Sequence, residues 1–172
     1  MTAWTAPVAF AGGCVPVELD LAALAGEPTV RFRFSSGSST ANLATIECLE
    51  QGLMTSATLM VPCPWFPEMV DYAKKHPEKD FGLHLAQTSE WRFYRWGPVA
   101  SRSEVPGLID PDGHLWQTVQ QVYAKGTPQE AYVESRAQIR RALEAGVDVT
   151  HLDSHMGTLQ LNAAYAEQYL KL

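Results

Sequence analysis

A chain of 172 residues, 46% hydrophobic and 19% charged, is long enough for one domain with its own core and has the composition of an ordinary globular protein. Its net charge of -6 argues against nucleic acid and anionic membrane as partners, because phosphate binding needs clustered Lys and Arg. No apolar stretch approaches a membrane span, and a neutral or sugar-like ligand suits the charge balance better.

The N-terminal "MTAWTAPVAFAGGC" is apolar but lacks the basic region of a signal peptide. Cys14, Cys48 and Cys63 form no C-x-x-C pair, so buried free thiols and a reducing, cytoplasmic location are expected. The helix-like "ELDLAALAGEP" has no obvious place in the pattern that follows it. "TVRFRF" starts like a strand, but Arg31 and Arg33 alternate with Phe32 and Phe34, which suits a sheet edge. Residues 1–36 are therefore read as an atypical N-terminal segment, and residues 37–172 as a βα domain.

Thr40 is expected to cap a helix over "ANLATIECLEQG", with Leu43, Ile46 and Leu49 on one stripe and Gly52 ending it. "SATLMV" follows as a buried strand. Pro67 starts a helix through "EMVDYAKKH", which Pro77 stops, and "FGLHL" is the next buried strand. Ala86 to Gly126 reads as loop, containing "EWRFYRWGP" and the turn "DPDG". "TPQEAYVESRAQIRRALEAG" carries the strongest helix signal. Thr127 and Glu130 form a capping box, Pro128 opens the helix and Gly146 lies just past its end. Its expected buried side is Tyr132, Ser135, Ile139, Ala142 and Leu143. "VDVTHLD" is then a strand. This alternation predicts an α/β fold with parallel strands, whose ligands collect at the C-terminal strand ends.

Two histidine sites fall at such ends. Residues two apart in a strand share a face, so His151, Asp153 and His155 can point into one pocket. Imidazole and carboxylate together suit zinc, iron, manganese or nickel; the competing reading is a set of polar strand-end groups bonded to backbone. His84 interrupts the apolar "FGLHL", where a histidine is more often a satisfied core residue than a ligand, although Gly82 beside it permits close approach. Trp91, Phe93, Tyr94 and Trp96 in "EWRFYRWGP" serve packing first and sugar stacking second. Nucleotide-binding and serine-hydrolase fingerprints are absent.

Four stretches, "ANLATIECLEQGLMTSATLMVPCPWFPEMV", "HPEKDFGLHLAQTSEW", "VPGLIDPDGHLW" and "VTHLDSHMGTL", resemble the YdjC/ChbG-like carbohydrate deacetylase family, a polysaccharide deacetylase-like group, in order and spacing. The resemblance runs from about Gly37 to Leu172. It implies a partial TIM-like (β/α) barrel with parallel strands, and metal-dependent removal of acetyl groups from N-acetylated sugars. It further implies His84 (in "GLHL") and His155 (in "LDSH") as ligands of a divalent metal, Mg or Zn. Asp153 and His151 would lie behind the metal or beside the substrate, as would Trp91 and Trp96. The implied partner is a small carbohydrate, with neither nucleic acid nor membrane; a homo-oligomer is compatible with all of this.

Two departures accompany the resemblance. Family members carry an Asp-Asp pair, one a ligand and one the base, where this chain has Phe34, Ser35 and Ser36, so the catalytic residue is unassigned. Such a barrel also takes about 250 residues. The chain is therefore expected to be a truncated or frame-shifted product, or else a noncatalytic sugar-binding or regulatory remnant. A different metallohydrolase built on His151 and His155 is the third reading.

Overall fold

The computed structural model describes residues 39–172. The expectations for "ELDLAALAGEP", "TVRFRF", Cys14 and the Phe34–Ser36 replacement lie outside the described residues. Helix α1 (Ser39–Glu50) begins one residue before the expected cap and ends ahead of Gly52, whose φ of +72° reverses the chain. Strand β1 (Ser56–Leu59), helix α2 (Phe66–Lys75) and strand β2 (Asp80–Leu85) follow. Helices α3 (Val119–Lys125) and α4 (Pro128–Ala145), strand β3 (Val149–Ser154) and helix α5 (Ala163–Tyr169) complete the order.

The three strands form one parallel sheet in the order β1-β2-β3. Among the described residues this sheet is open rather than closed into a barrel, with β1 and β3 at its edges. Position in the sheet decides burial. The central β2 is buried from Phe81 to Leu85, as its apolar run predicts, whereas β1 is half-buried from Ser56 to Thr58. Burial on the β1 side resumes at Leu59 and continues through Met60 and Val61. Each fully buried leucine of this core, such as Leu59, Leu83 or Leu85, contributes about 1.5–3 kcal/mol. No helix among the described residues is long and apolar enough to cross a membrane. Cys63 is buried and Cys48 half-buried, both as free thiols.

Helix α4 has the termini that its sequence predicts. Thr127 and Glu130 bond reciprocally at its start, and Gly146 (φ +93°) caps its end. Its inner face, however, is Ala131, Glu134, Ser135, Gln138 and Ala142, while Tyr132 and Ile139 are only half-buried and Leu143 is exposed. The displaced apolar residues line a surface groove of about 450 Å³ with Lys171 and Leu172. The reason is that α4 packs against loop backbone, which needs partners more than it needs hydrocarbon. Gln138 accepts from the Ala86 N–H at 3.0 Å and donates to the Ala86 carbonyl at 2.7 Å. Glu134, fully buried, accepts from the N–H groups of Val99 and Ala100 and from the Gln138 amide, all within 2.9 Å. Burial pushes the Glu134 carboxyl up against those donors. Helix α1 behaves alike: Asn42, Thr45 and Leu49 face inward and Leu43 is exposed.

The long connection after β2 is more ordered than a loop. A one-turn helix (Pro106–Leu108) leads into a hairpin in which Ile109 pairs with Leu115 around "DPDG". Asp110 accepts there from the N–H groups of Asp112 and His114, and from Arg95 at 2.8 Å. Burial pushes the Asp110 carboxyl up, but the His114 N–H and the Arg95 guanidinium outweigh it and hold it below its usual value. Helix α3 was not expected, although Thr118 and Gln121 form a complete capping box.

Two outcomes follow from these buried contacts. Glu134→Ala leaves two loop N–H groups and the Gln138 amide short of an acceptor, and should lower unfolding free energy by about 3 kcal/mol or more, read by urea denaturation. Because the folded Asp110 value is depressed, its stabilisation is present above the unfolded value and is lost as pH falls through the folded one. Asp110→Asn should therefore cost about 1–3 kcal/mol at pH 7 and flatten the loss of stability below roughly pH 4.

Candidate functional site

Three connected segments build the site at the C-terminal end of the sheet. On β2 the residues Phe81, Leu83 and Leu85 point one way, and Gly82 and His84 the other. The register sets His84 opposite Asp153 of β3, and Gly82 opposite Thr58 of β1. Asp153 Oδ1 lies 2.5 Å from His84 Nδ1, and Thr58 Oγ1 donates to Asp153 Oδ2 at 3.4 Å. His155 follows β3 in a tight turn and is buried. Its Nδ1 faces His84 Nε2 at 3.2 Å, and its Nε2 lies 2.8 Å from Glu90 Oε2.

Glu90 leaves a pinned stretch of loop. Gln87, Thr88 and Ser89 are fully buried. Gln87 donates to Ser135 on α4, and Ser89 bonds the backbones of both Trp96 and Trp116. The second Glu90 oxygen accepts from Trp91 Nε1 at 3.1 Å. Burial pushes the Glu90 carboxyl up, but the hydrogen bond and charge of His155, with the backbone and Trp91 donors, bring it below its ordinary value. Cys63 sits close enough to feel that charge: burial first, and Glu90 second, push its thiol up to about 12, so it is no nucleophile at neutral pH.

The turn carrying His155 is strained. Met156 has φ +54° and Gly157 φ +67°, and a non-glycine residue there costs about 1–2 kcal/mol. Thr158 and Leu159 hold the turn through bonds to the His155 carbonyl and the Ser154 hydroxyl. Met156 is 53% exposed, so its own packing does not supply the compensation.

His84, Asp153 and His155 thus come together, and His151 does not join them. Its imidazole lies over Gly82, near Asp80 and Thr150, toward the N-terminal end of the sheet. Alternation predicts the correct face, but a bulge opposite Phe81–Leu83 interrupts the ladder beside His151. Gly82 is required because a Cβ there would lie 2.5 Å from the His151 carbonyl oxygen. Trp91 is 46% exposed beside Glu90. Trp96 is buried, donates to the Thr88 carbonyl and sets its ring edge-on to His155 at 6.2 Å, so it walls the site. Sequence reasoning missed Glu90 and Thr58, since no spacing rule connects Glu90 to His155, 65 residues away, or Thr58 to Asp153, 95 residues away. Among the described residues, no group of three His, Cys, Asp or Glu side chains is placed to hold a metal, so two imidazoles are the donors on offer.

Residues 37–172 match the family of YdjC-like proteins. A carbohydrate deacetylase of Brevibacillus brevis is 37% identical over 72% of this chain and 45% of its own length. One from Thermus thermophilus is 32% identical over 69% of this chain and 40% of its own. The crystal structure of a provisionally named cellobiose-phosphate cleavage protein of Enterococcus faecalis V583 superposes with a TM-score of 0.70 at 27% identity. That match covers 78% of this chain and 50% of the other. The chain spans less than half the length of the curated relatives it matches. On these matches, the chain belongs to the YdjC-like carbohydrate deacetylase family.

Proposed function

We propose that this chain carries the metal-binding half-site of a hydrolase that removes acetyl groups from N-acetylated sugars, its βα units being part of a TIM-like barrel. The observation that supports this reading is the 3.2 Å approach of His84 Nε2 to His155 Nδ1. Each ring has a carboxylate on its other nitrogen, and an ionised carboxylate only accepts. When both rings are neutral, their inner nitrogens turn lone pairs toward one another, a repulsion that a shared proton or a metal ion between them relieves. Imidazole nitrogens that bind one ion at about 2.0–2.1 Å each are themselves separated by roughly 3 Å, so the pair fits a shared divalent metal. Nitrogen donors favour zinc over magnesium.

A bound divalent ion supplies polarisation of the amide carbonyl and acidifies water. The chain's own residues aim the ligands: Asp153 fixes His84 and Glu90 fixes His155. Trp91 offers an exposed ring for the apolar face of a small carbohydrate, and buried Trp96 backs His155 and excludes water. Two described donors, and Phe34, Ser35 and Ser36 where relatives are expected to carry carboxylates, support a second reading, a noncatalytic sugar-binding remnant.

Acetate release from a chito-oligosaccharide separates the two. In the enzyme, chelation abolishes release and Zn²⁺ restores it, and His84→Ala or His155→Ala removes both turnover and metal binding. His151→Ala should change either by about twofold or less, the size of an ordinary surface substitution. Metal binding with no acetate at any concentration would leave the remnant. Equal damage from His151→Ala would move the metal to the other histidine and sink the reading.

A further inference from the structure

We infer that Glu90 is a positioning residue that sets the tautomer and aim of His155, so that the histidine pair turns two lone pairs to a single divalent cation. The inference rests on reading the pair as a metal centre. Because Glu90 Oε2 is an acceptor 2.8 Å from His155 Nε2, that nitrogen carries the hydrogen, and in the neutral ring Nδ1 is then bare. Asp153 acts on the opposite nitrogen of His84, leaving Nε2 bare. The two carboxylates thus impose opposite tautomers, and only that combination makes the bare nitrogens meet across 3.2 Å.

The clamps are also crossed between strands. His84 on β2 is held by Asp153 of β3, while His155, just after β3, is held by Glu90 from the loop after β2. Each segment therefore supplies one imidazole and the carboxylate that orders the other. A shift between the strand ends disturbs both clamps together. Glu90 is suited to its part because its loop is pinned by Ser135, Trp96 and Trp116, and Trp91 occupies its other oxygen. Glu90 is itself partly exposed, so replacing it leaves the core intact.

Long-range ¹H–¹⁵N spectra of the metal-free full chain read the ring tautomers directly. The expected wild-type result is Nδ1–H for His84 and Nε2–H for His155. Glu90→Ala should leave His84 unchanged, give His155 a mixed or reversed tautomer, and weaken Zn²⁺, measured against a chromogenic chelator, roughly 10–100-fold. Glu90→Gln, whose carbonyl still accepts from Nε2–H, should restore the tautomer and most of the affinity. It also serves as the readout if Glu90→Ala fails to fold. A wild-type His155 in the Nδ1–H form, or Glu90→Ala with unchanged tautomer and affinity, overturns the inference. Wild-type protein that binds no Zn²⁺ would defeat the metal reading, while the tautomer spectra would still decide the role of Glu90.

Discussion

The Gln138 side-chain amide stands in for a neighbouring strand at Ala86, accepting from its N–H and donating to its carbonyl. That junction lies two residues after His84 and begins the buried run from which Glu90 emerges. Buried backbone groups must be paired, and here a helix rather than a strand does the pairing. Glu134 repeats the device one turn earlier on α4 by holding the Val99 and Ala100 N–H groups. The loop carrying Glu90, Trp91 and Trp96 is therefore held from both ends by one helix face.

From this docking the site acquires its precision. Two imidazoles and two carboxylates are drawn together over a sheet end, an arrangement that costs desolvation and gives little stability by itself. Strain at Met156 adds to that cost at the neighbouring position. The cost is concentrated where the inner ring nitrogens converge, and in the proposed metal centre a shared cation would give that convergence a use. A polar residue on the inner face of α4 is thus connected to His155 through the backbone from Ala86 to Glu90 and the Glu90 side chain.

Much of this was legible in the sequence, for reasons that are local. The caps of α4, the turn at Asp110 and the apolar run of β2 each follow from a few adjacent residues. The Thr118–Gln121 box that starts α3 is equally local, although the seven-residue helix is too short for periodicity to set it apart from the surrounding loop. Hydrophobic periodicity misjudged the buried faces of α1 and α4, because those faces meet loop backbone and use Asn42, Glu134 and Gln138 there. In the site, alternation along β3 placed His151, Asp153 and His155 on one face but said nothing of depth, and so joined His151 to a pair it does not reach. Glu90 became visible only through the fold, since its partner lies 65 residues away.

The central claim is that His84 Nε2 and His155 Nδ1 share one divalent cation. Anomalous diffraction from a Zn²⁺-loaded crystal tests it most directly. The account predicts one peak between the two rings, about 2.0–2.1 Å from each of those nitrogens, with Asp153 and Glu90 still on the outer ones. A zinc peak at His151 and Asp80, or two rings joined by a plain hydrogen bond with no peak between them, would contradict it.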